Sequence, residues 1–143
     1  MKLEEIENKI QIIDNLVREF SIKNIDKIQN VKEMQVTSKI GFKIVKIEKK
    51  EKSYIAQISL INDLSLVVKE QEIATIHIKM DGLFTGNLLL SKEELEEELK
   101  LKGAPILYQF IQTYIHMVTG ISGMPNIVTP IIDFSKFFHK QEK

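Results

Sequence analysis

Three histidines are the side chains of this sequence best suited to acid–base or metal chemistry. His77, His116 and His139 have no cysteine, aspartate or glutamate at the spacing of a metal site. The alternation of its strand places His77 on the solvent side, and His116 falls within an apolar helix, where a hydrogen-bonded structural role is favoured. The sequence therefore predicts no enzyme, no bound metal and no cofactor.

Other patterns that could carry chemistry lack the required setting. Residues 120–123, Gly-Ile-Ser-Gly, lack the strand–turn–helix context of a nucleophile elbow. The glutamates of residues 93–98 lack the loop geometry of a calcium site and are typical of a solvated helix face. Lysines at positions 39, 43 and 46 could attract an acidic partner, but no aromatic residues interleave with them for base stacking. We expect no nucleic-acid partner.

The composition indicates one folded domain over residues 1–143. Twenty lysines and arginines balance twenty aspartates and glutamates, which removes a global attraction to nucleic acid or anionic membrane. The absence of cysteine fits a reducing compartment. The first residues are acidic and amphipathic, unlike a signal peptide, and no apolar run reaches the ~20 residues of a membrane span. We expect a soluble, cytoplasmic protein without membrane insertion.

Hydrophobic periodicity predicts the elements of the first half. A spacing of three and four residues predicts a short helix near residues 2–13, and alternation predicts a strand near 15–23. A second strand begins near Val36, with a bulge expected at 44–47 and a charged hairpin tip at 49–52.

A third strand is predicted from Tyr54 to the Asn62-Asp63 pair, which should close it. Residues 64–72 are then a connection, with a short edge segment at 66–68, before a last strand that turns Ala74 and Met80 inward. One apolar and one polar face indicate an antiparallel sheet with a solvated side.

The last third of the chain is predicted to be helical. Ser91 and Glu94 form a capping box ahead of a short acidic helix from 92 to about 101. A longer helix spans 104–119, a loop covers 120–130, and a short helix lies near 133–140. Strands first and helices last make the class α+β.

No charged residue occurs between Lys102 and Asp133. A surface helix would show a charged face, so the helix in this stretch is predicted to be covered on two sides, by its own core and by a partner subunit or client. Two interpretations stay open for the apolar residues around the following loop. They either cover the sheet or line a groove for apolar segments.

Several short motifs, in chain order, resemble the signature of the SecB-type export chaperones. Residues 105–110 resemble the family's Pro-Ile-Leu-Phe helix start, 123–125 its Gly-Phe-Pro loop, and 130–134 its Pro-Ile-Asn-Phe segment. Residues 16–22 resemble its first strand, and 81–84 resemble the turn after its fourth strand.

The resemblance implies a four-stranded antiparallel sheet packed against a long C-terminal helix, assembled as a dimer of dimers. It also implies an ATP-independent holdase that binds unfolded or precursor polypeptides in apolar grooves, with some members passing them to the SecA motor. The implied groove would be lined by Phe42, Ile44, Leu83, Phe84, Met124, Pro125, Ile127, Ile131 and Phe134. The implied oligomer interface on the long helix comprises Phe110, Ile111, Tyr114 and Val118.

The implied motor-docking face departs from the family pattern. Its candidate positions are Glu19, Lys23, Thr75 and His77, where Lys23 and His77 stand in place of carboxylates. A lysine there reverses the local potential and disfavours the same docking mode. Three functions stay open: a general SecB-like holdase, an adaptor for one client such as an antitoxin or phage protein, and a small-ligand-binding domain anchored by His116.

Overall fold

The computed structural model describes residues 3, 8–24, 33–124 and 127–141. Four long strands come first: β1 (Ile10–Asn24), β2 (Met34–Lys49), β3 (Tyr54–Val68) and β4 (Gln71–Gly86). The helices follow: α1 (Lys92–Glu98), a π-helical turn (Leu99–Gly103), α2 (Ala104–Ile121) and α3 (Phe134–Gln141). This is the predicted α+β order, with a four-stranded antiparallel sheet and a long C-terminal helix.

The strands form one antiparallel sheet in the order β1-β4-β3-β2, so β1 and β2 are its edges. Successive strand residues point to opposite sides, and the burial pattern follows that alternation. Along β4, Ile76, Ile78 and Met80 are buried while Thr75, His77 and Lys79 are partly exposed. We call these two sides the inner face and the outer face.

The helices pack on the inner face. They contribute Leu95, Leu107, Ile111 and Ile115, each fully buried, to the same core as Ile58 and its neighbours on the strands. The outer face carries the alternate, more polar set of strand residues.

Glycine lets the helices approach the sheet closely at two points of β4. A Cβ added at Gly82 would lie 2.9 Å from Cε2 of Phe84 and 3.1 Å from Cδ1 of Leu107. A Cβ at Gly86 would lie 2.5 Å from Cδ1 of Leu95. Larger residues at these positions would push α1 and α2 away from the strands.

The two predicted helices, the short one at 92–101 and the longer one at 104–119, are joined in the structure. Gly103 has helical dihedral angles (φ −66°, ψ −47°), so the chain continues from α1 through the π-helical turn into α2. Pro105 lies in the first turn of α2, where its ring would clash with the carbonyl group four residues earlier in a regular helix. The wider turn just before it relieves that clash.

Three predictions about the strands are wrong. Residues 10–13 belong to β1 rather than to an N-terminal helix, and most of the remaining residues of that predicted helix lie outside the described part. Asn62-Asp63 does not end β3, because Asn62 turns inward, accepts a hydrogen bond from Ser38 Oγ (2.5 Å) and is fully buried. Residues 81–84 continue β4 instead of forming a turn.

The real turn between β3 and β4 lies at Lys69 and Glu70, both with positive φ (49° and 64°). The predicted bulge is confirmed by a register shift between Ile44 and Lys46, and the charged hairpin tip follows at the end of β2. The short last helix is also confirmed, as α3. Among the described residues, no helix combines the length and the apolarity needed to cross a bilayer.

Candidate functional site

An aromatic cluster fixes α3 against the inner face. Phe138 meets Phe42 of the edge strand β2 edge-on, with ring centroids 4.9 Å apart, and Phe134 meets Tyr108 of α2 at 5.7 Å. Phe137 packs edge-on against Phe138 at 5.0 Å. Edge-to-face contacts of this kind fix ring orientation as well as burying area. The cluster therefore anchors the chain that leads from α2 to α3.

That connecting chain, residues 127–133, is here called the strap. Tyr108 Oη donates a hydrogen bond to the Pro130 carbonyl oxygen (2.6 Å), and Gln112 Nε2 donates one to Thr129 Oγ1 (2.6 Å). Burial raises the pKa of Tyr108, so the hydroxyl stays a donor at neutral pH.

The strap turns some of its apolar side chains away from the core. Ile127 is buried (3% exposed), whereas Val128 is 78% and Ile131 is 99% exposed. Val128 and Ile131 thus expose two aliphatic side chains to water beside a packed aromatic cluster. Exposed apolar patches on soluble proteins mark binding sites.

The nine predicted groove residues fall into different environments. Ile131 is exposed, and Phe42, Ile44 and Met124 are partly buried at the border of the core. Phe84, Ile127 and Phe134 are buried, so they support the surface from below and offer no contact area in the isolated chain. Leu83 points to the outer face and lines a depression there with Leu16 and Arg18. Pro125 lies outside the described residues.

The predicted interface residues on α2 also separate. Phe110 is 41% exposed, Val118 is partly exposed, and Tyr114 packs edge-on against Phe20 of β1 with centroids 5.1 Å apart. Ile111 has no exposed area and belongs to the chain's own core, so its placement at an interface is corrected. Sequence periodicity missed Met117 (54%) and Ile121 (82%), which extend the exposed, uncharged side of α2.

The outer face carries a histidine held between two carboxylates. His77 of β4 contacts Asp63 of β3 through Nδ1, and its Nε2 lies 3.3 Å from Glu19 Oε1 of β1. The hydrogen bond to Asp63, opposed by desolvation and assisted by Glu19, raises the pKa of His77. Of the candidate docking positions, Glu19 and His77 are thus brought together. Lys23 and Thr75 face each other one row further along the sheet.

A second outer-face group surrounds Asp81. Arg18 Nε donates to its Oδ2 at 2.7 Å, and Gln57 Nε2 donates to the same oxygen at 3.0 Å. Burial by itself raises the pKa of Asp81, but the hydrogen bonds from Arg18 and Gln57 outweigh burial and hold the pKa below its usual value. No local sequence pattern reveals this group, because Arg18 and Asp81 are 63 positions apart and only the β1–β4 register joins them.

The histidine that was to anchor a small ligand, His116, lies at the surface. No group of three or more metal-binding side chains occurs among the described residues. His116 is exposed on α2 and does not face the interior.

Comparison with known proteins assigns the fold and the family. The sequence model described as preprotein translocase subunit SecB matches residues 4–143. The protein-export protein SecB of Anaplasma phagocytophilum (strain HZ) is 30% identical over 90 residues, covering 59% of this chain, and the aligned region spans 55% of that relative's length.

A solved structure shares the architecture at low sequence identity. The SecB-like chaperone of Mycobacterium tuberculosis, in complex with a ChAD peptide from the HigA1 antitoxin, superposes with a TM-score of 0.61 at 20% identity. The match covers 87% of this chain and 91% of that one. With the family match over almost its whole length, this chain belongs to the SecB family.

Proposed function

We propose that this protein is an ATP-independent holdase that binds unfolded or precursor polypeptides on the apolar surface formed by the strap and the aromatic cluster. The observation that carries the proposal is the exposure of Val128 and Ile131 on a strap that is otherwise tied to α2 by two hydrogen bonds. An apolar surface held in place by these hydrogen bonds suits clients that have exposed their own cores. No catalytic step is needed.

The client surface we propose is narrower than the predicted one. It comprises Val128 and Ile131 as exposed contacts, with Phe42, Ile44 and Phe137 at its border. The open edge of β2 lies beside it, since Phe42 of that strand is part of the aromatic cluster. An extended client can pair with such an edge while its side chains enter the apolar border. Several weak contacts along one client then add up to avidity without sequence specificity.

We further propose that the protein assembles as a homo-oligomer, a dimer of dimers, through the exposed side of α2. Support comes from Phe110, Met117 and Ile121, which are large, apolar and 41–82% exposed on a helix without a charged residue. A partner subunit that covers this side would explain why the helix needs no charges.

The place of action we propose is the cytoplasm, with protein export as the broader process. Direct docking to SecA through the outer face is not part of this proposal. The Glu19 carboxylate is already in contact with His77, and Lys23 reverses the local charge. The adaptor for one client remains the second candidate function. It is favoured by the same loss of an acidic docking face, and the Mycobacterium tuberculosis chaperone that shares the fold binds an antitoxin peptide.

The test is suppression of aggregation of a chemically unfolded client at near-equimolar ratio. We expect the wild type to suppress it and Val128→Asp/Ile131→Asp to need about five- to tenfold more protein, because two central apolar contacts are replaced by charges. Leu89→Asp is the matched control, since Leu89 is also 87% exposed but precedes α1. Equal loss in the control, or full activity in the strap variant, would contradict this client surface.

A further inference from the structure

The outer face of the sheet carries three lysines that no carboxylate of the described residues neutralises. Lys39 and Lys43 lie on β2 and Lys79 on β4, and no carboxylate oxygen of the described chain comes within 4.0 Å of their amino groups. We call them the lysine triplet. All three alternate outward by register: Lys43 opposes Ser59, Lys79 opposes Ile61, and Lys39 opposes Asp63.

The carboxylates of the same face are engaged elsewhere. Asp63 and Glu19 both contact His77, although Lys39 and Lys79 are their direct cross-strand neighbours. Asp81 is held by Arg18 and Gln57. Around the triplet, four cations (the three lysines and Arg18) therefore lie among three carboxylates, those of Glu19, Asp63 and Asp81, which leaves a positive surplus in this part of the face. This chain is neutral overall, so the surplus is local.

An open depression of about 360 Å³ lies between Lys43 and Lys79. Gly41, which has no side chain, Ile61 and Val45 supply the apolar part of its lining, and Gln57, Ser59 and Asp81 supply the polar part. Gly41 sits midway between Lys39 and Lys43 on the same side of β2. Along β2 the depression begins at Gly41, between the two lysines, and continues past Lys43 to Val45.

From this arrangement we propose that the outer face is a docking surface for an extended acidic polypeptide segment. Residues i and i+4 of an extended chain are about 13 Å apart on one side, the same spacing as Lys39 and Lys43. A segment with carboxylates at i and i+4 and an aliphatic residue at i+2 matches the triplet and the depression together. Lys79 adds a third cation across the sheet.

Other polyanions fit this face less well. No aromatic side chain points outward from the described strands, so the face lacks stacking platforms for the bases of a nucleic acid. Three lysines on a flat, partly apolar sheet also fall short of the cluster of roughly four to eight that anionic membranes require. The inference is independent of the client surface, which lies on the other side of the sheet.

The experiment measures binding of a fluorescent peptide with the core Glu-Thr-Leu-Thr-Glu to the full chain by anisotropy. We expect Lys43→Glu/Lys79→Glu to weaken binding about tenfold or more, and added salt to weaken wild-type binding, because the attraction is electrostatic. Lys50→Glu/Lys52→Glu, at the exposed hairpin tip, is the matched control for the same change in net charge. A peptide with lysines in place of the glutamates should not bind.

Three outcomes would overturn the proposal. They are equal binding by wild type and Lys43→Glu/Lys79→Glu, equal loss in the hairpin-tip control, and tighter triplet-dependent binding of oligo-dT or phosphatidylserine vesicles than of the peptide. The Val128→Asp/Ile131→Asp variant should bind the acidic peptide normally. Failure of the holdase function and failure of this docking surface are therefore measured separately.

Discussion

On the outer face the imidazole of His77 is held between carboxylates from two other strands, so its pKa depends on the folded structure. The partner residues Asp63 and Glu19 are 14 and 58 positions from His77 in the sequence. Strand alternation predicted a histidine on the solvated face, but it could not identify these partners, because the pairing register that joins them is a long-range property. The raised pKa of His77 means that the folded state favours the charged ring.

We expect the free energy of unfolding to fall as the pH rises from 6.5 through the raised pKa of His77. The folded-state pKa exceeds the unfolded one, so the stabilisation is complete below 6.5 and is lost as the ring deprotonates. The side chain is 35% exposed, and the change should stay below about 1 kcal/mol because such pairs are screened. Urea unfolding of the wild type and His77→Asn across this window measures it. Parallel pH profiles for the two proteins would contradict the assignment.

At the scale of single elements, the contact between β4 and α2 depends on the absence of one side chain. We expect Gly82→Ala to lower the free energy of unfolding by about 1–3 kcal/mol, because the new Cβ overlaps Phe84 and Leu107. Gly120→Ala should instead raise it by up to about 1 kcal/mol, since nothing lies within 4 Å of that position in α2 and alanine favours helix. Equal effects of the two variants in urea unfolding would show that the close approach is not maintained.

Local pattern predicted the elements wherever one period dominated. The alternation of β2 and β4 and the capping box of α1 are confirmed, and the Glu94 backbone N–H donates a hydrogen bond to Ser91 Oγ at 3.1 Å. At the N-terminus, Ile10, Ile13 and Val17 fit a helical spacing as well as a bulged strand. Two register shifts in β1, after Ile12 and after Val17, produced that ambiguity. Pairing with β4 decided it.

For the whole molecule, the exposed side of α2 is an apolar surface that the described part of the chain does not cover. We expect Phe110→Asp or Met117→Asp to convert the assembled protein into a smaller species that remains folded, because a buried unpaired charge costs of order 3–5 kcal/mol. Light scattering gives the mass and circular dichroism the fold. Leu89→Asp should leave the assembly intact. An unchanged mass for both α2 variants would exclude this side of the helix as the interface.

Ile111→Asp has a different expected outcome, although it neighbours Phe110. Ile111 has no exposed area, so the charge would enter the core of the subunit and the chain should lose its cooperative unfolding transition. The charge-free stretch predicted that this helix is covered on two sides. It could not predict which residues face the sheet and which face a partner, because apolar residues lie on all sides of the helix. The rotation of the helix about its axis depends on its contacts with the sheet.

For the predicted groove residues, too, the sequence did not show which side chains would be exposed. Sequence motifs placed Phe84 and Leu83 in one groove, yet adjacent strand residues point to opposite sides. Val128 belonged to the apolar residues around the loop but not to the groove implied by the motifs, although it is 78% exposed. Exposure depends on how α3 and the strap settle against the sheet, and no local pattern encodes that.

The strict alternation of β4 has an evolutionary consequence. The side chains at positions 76, 78 and 80 are constrained by packing in the interior, whereas those at 75, 77 and 79 are constrained by whatever binds the outer face. Substitutions that retune an external contact can therefore accumulate at odd positions without disturbing the even ones. Different selective pressures therefore act on alternate residues of β4. Among descendants of this chain, sequence variability along β4 should rise and fall with a period of two residues.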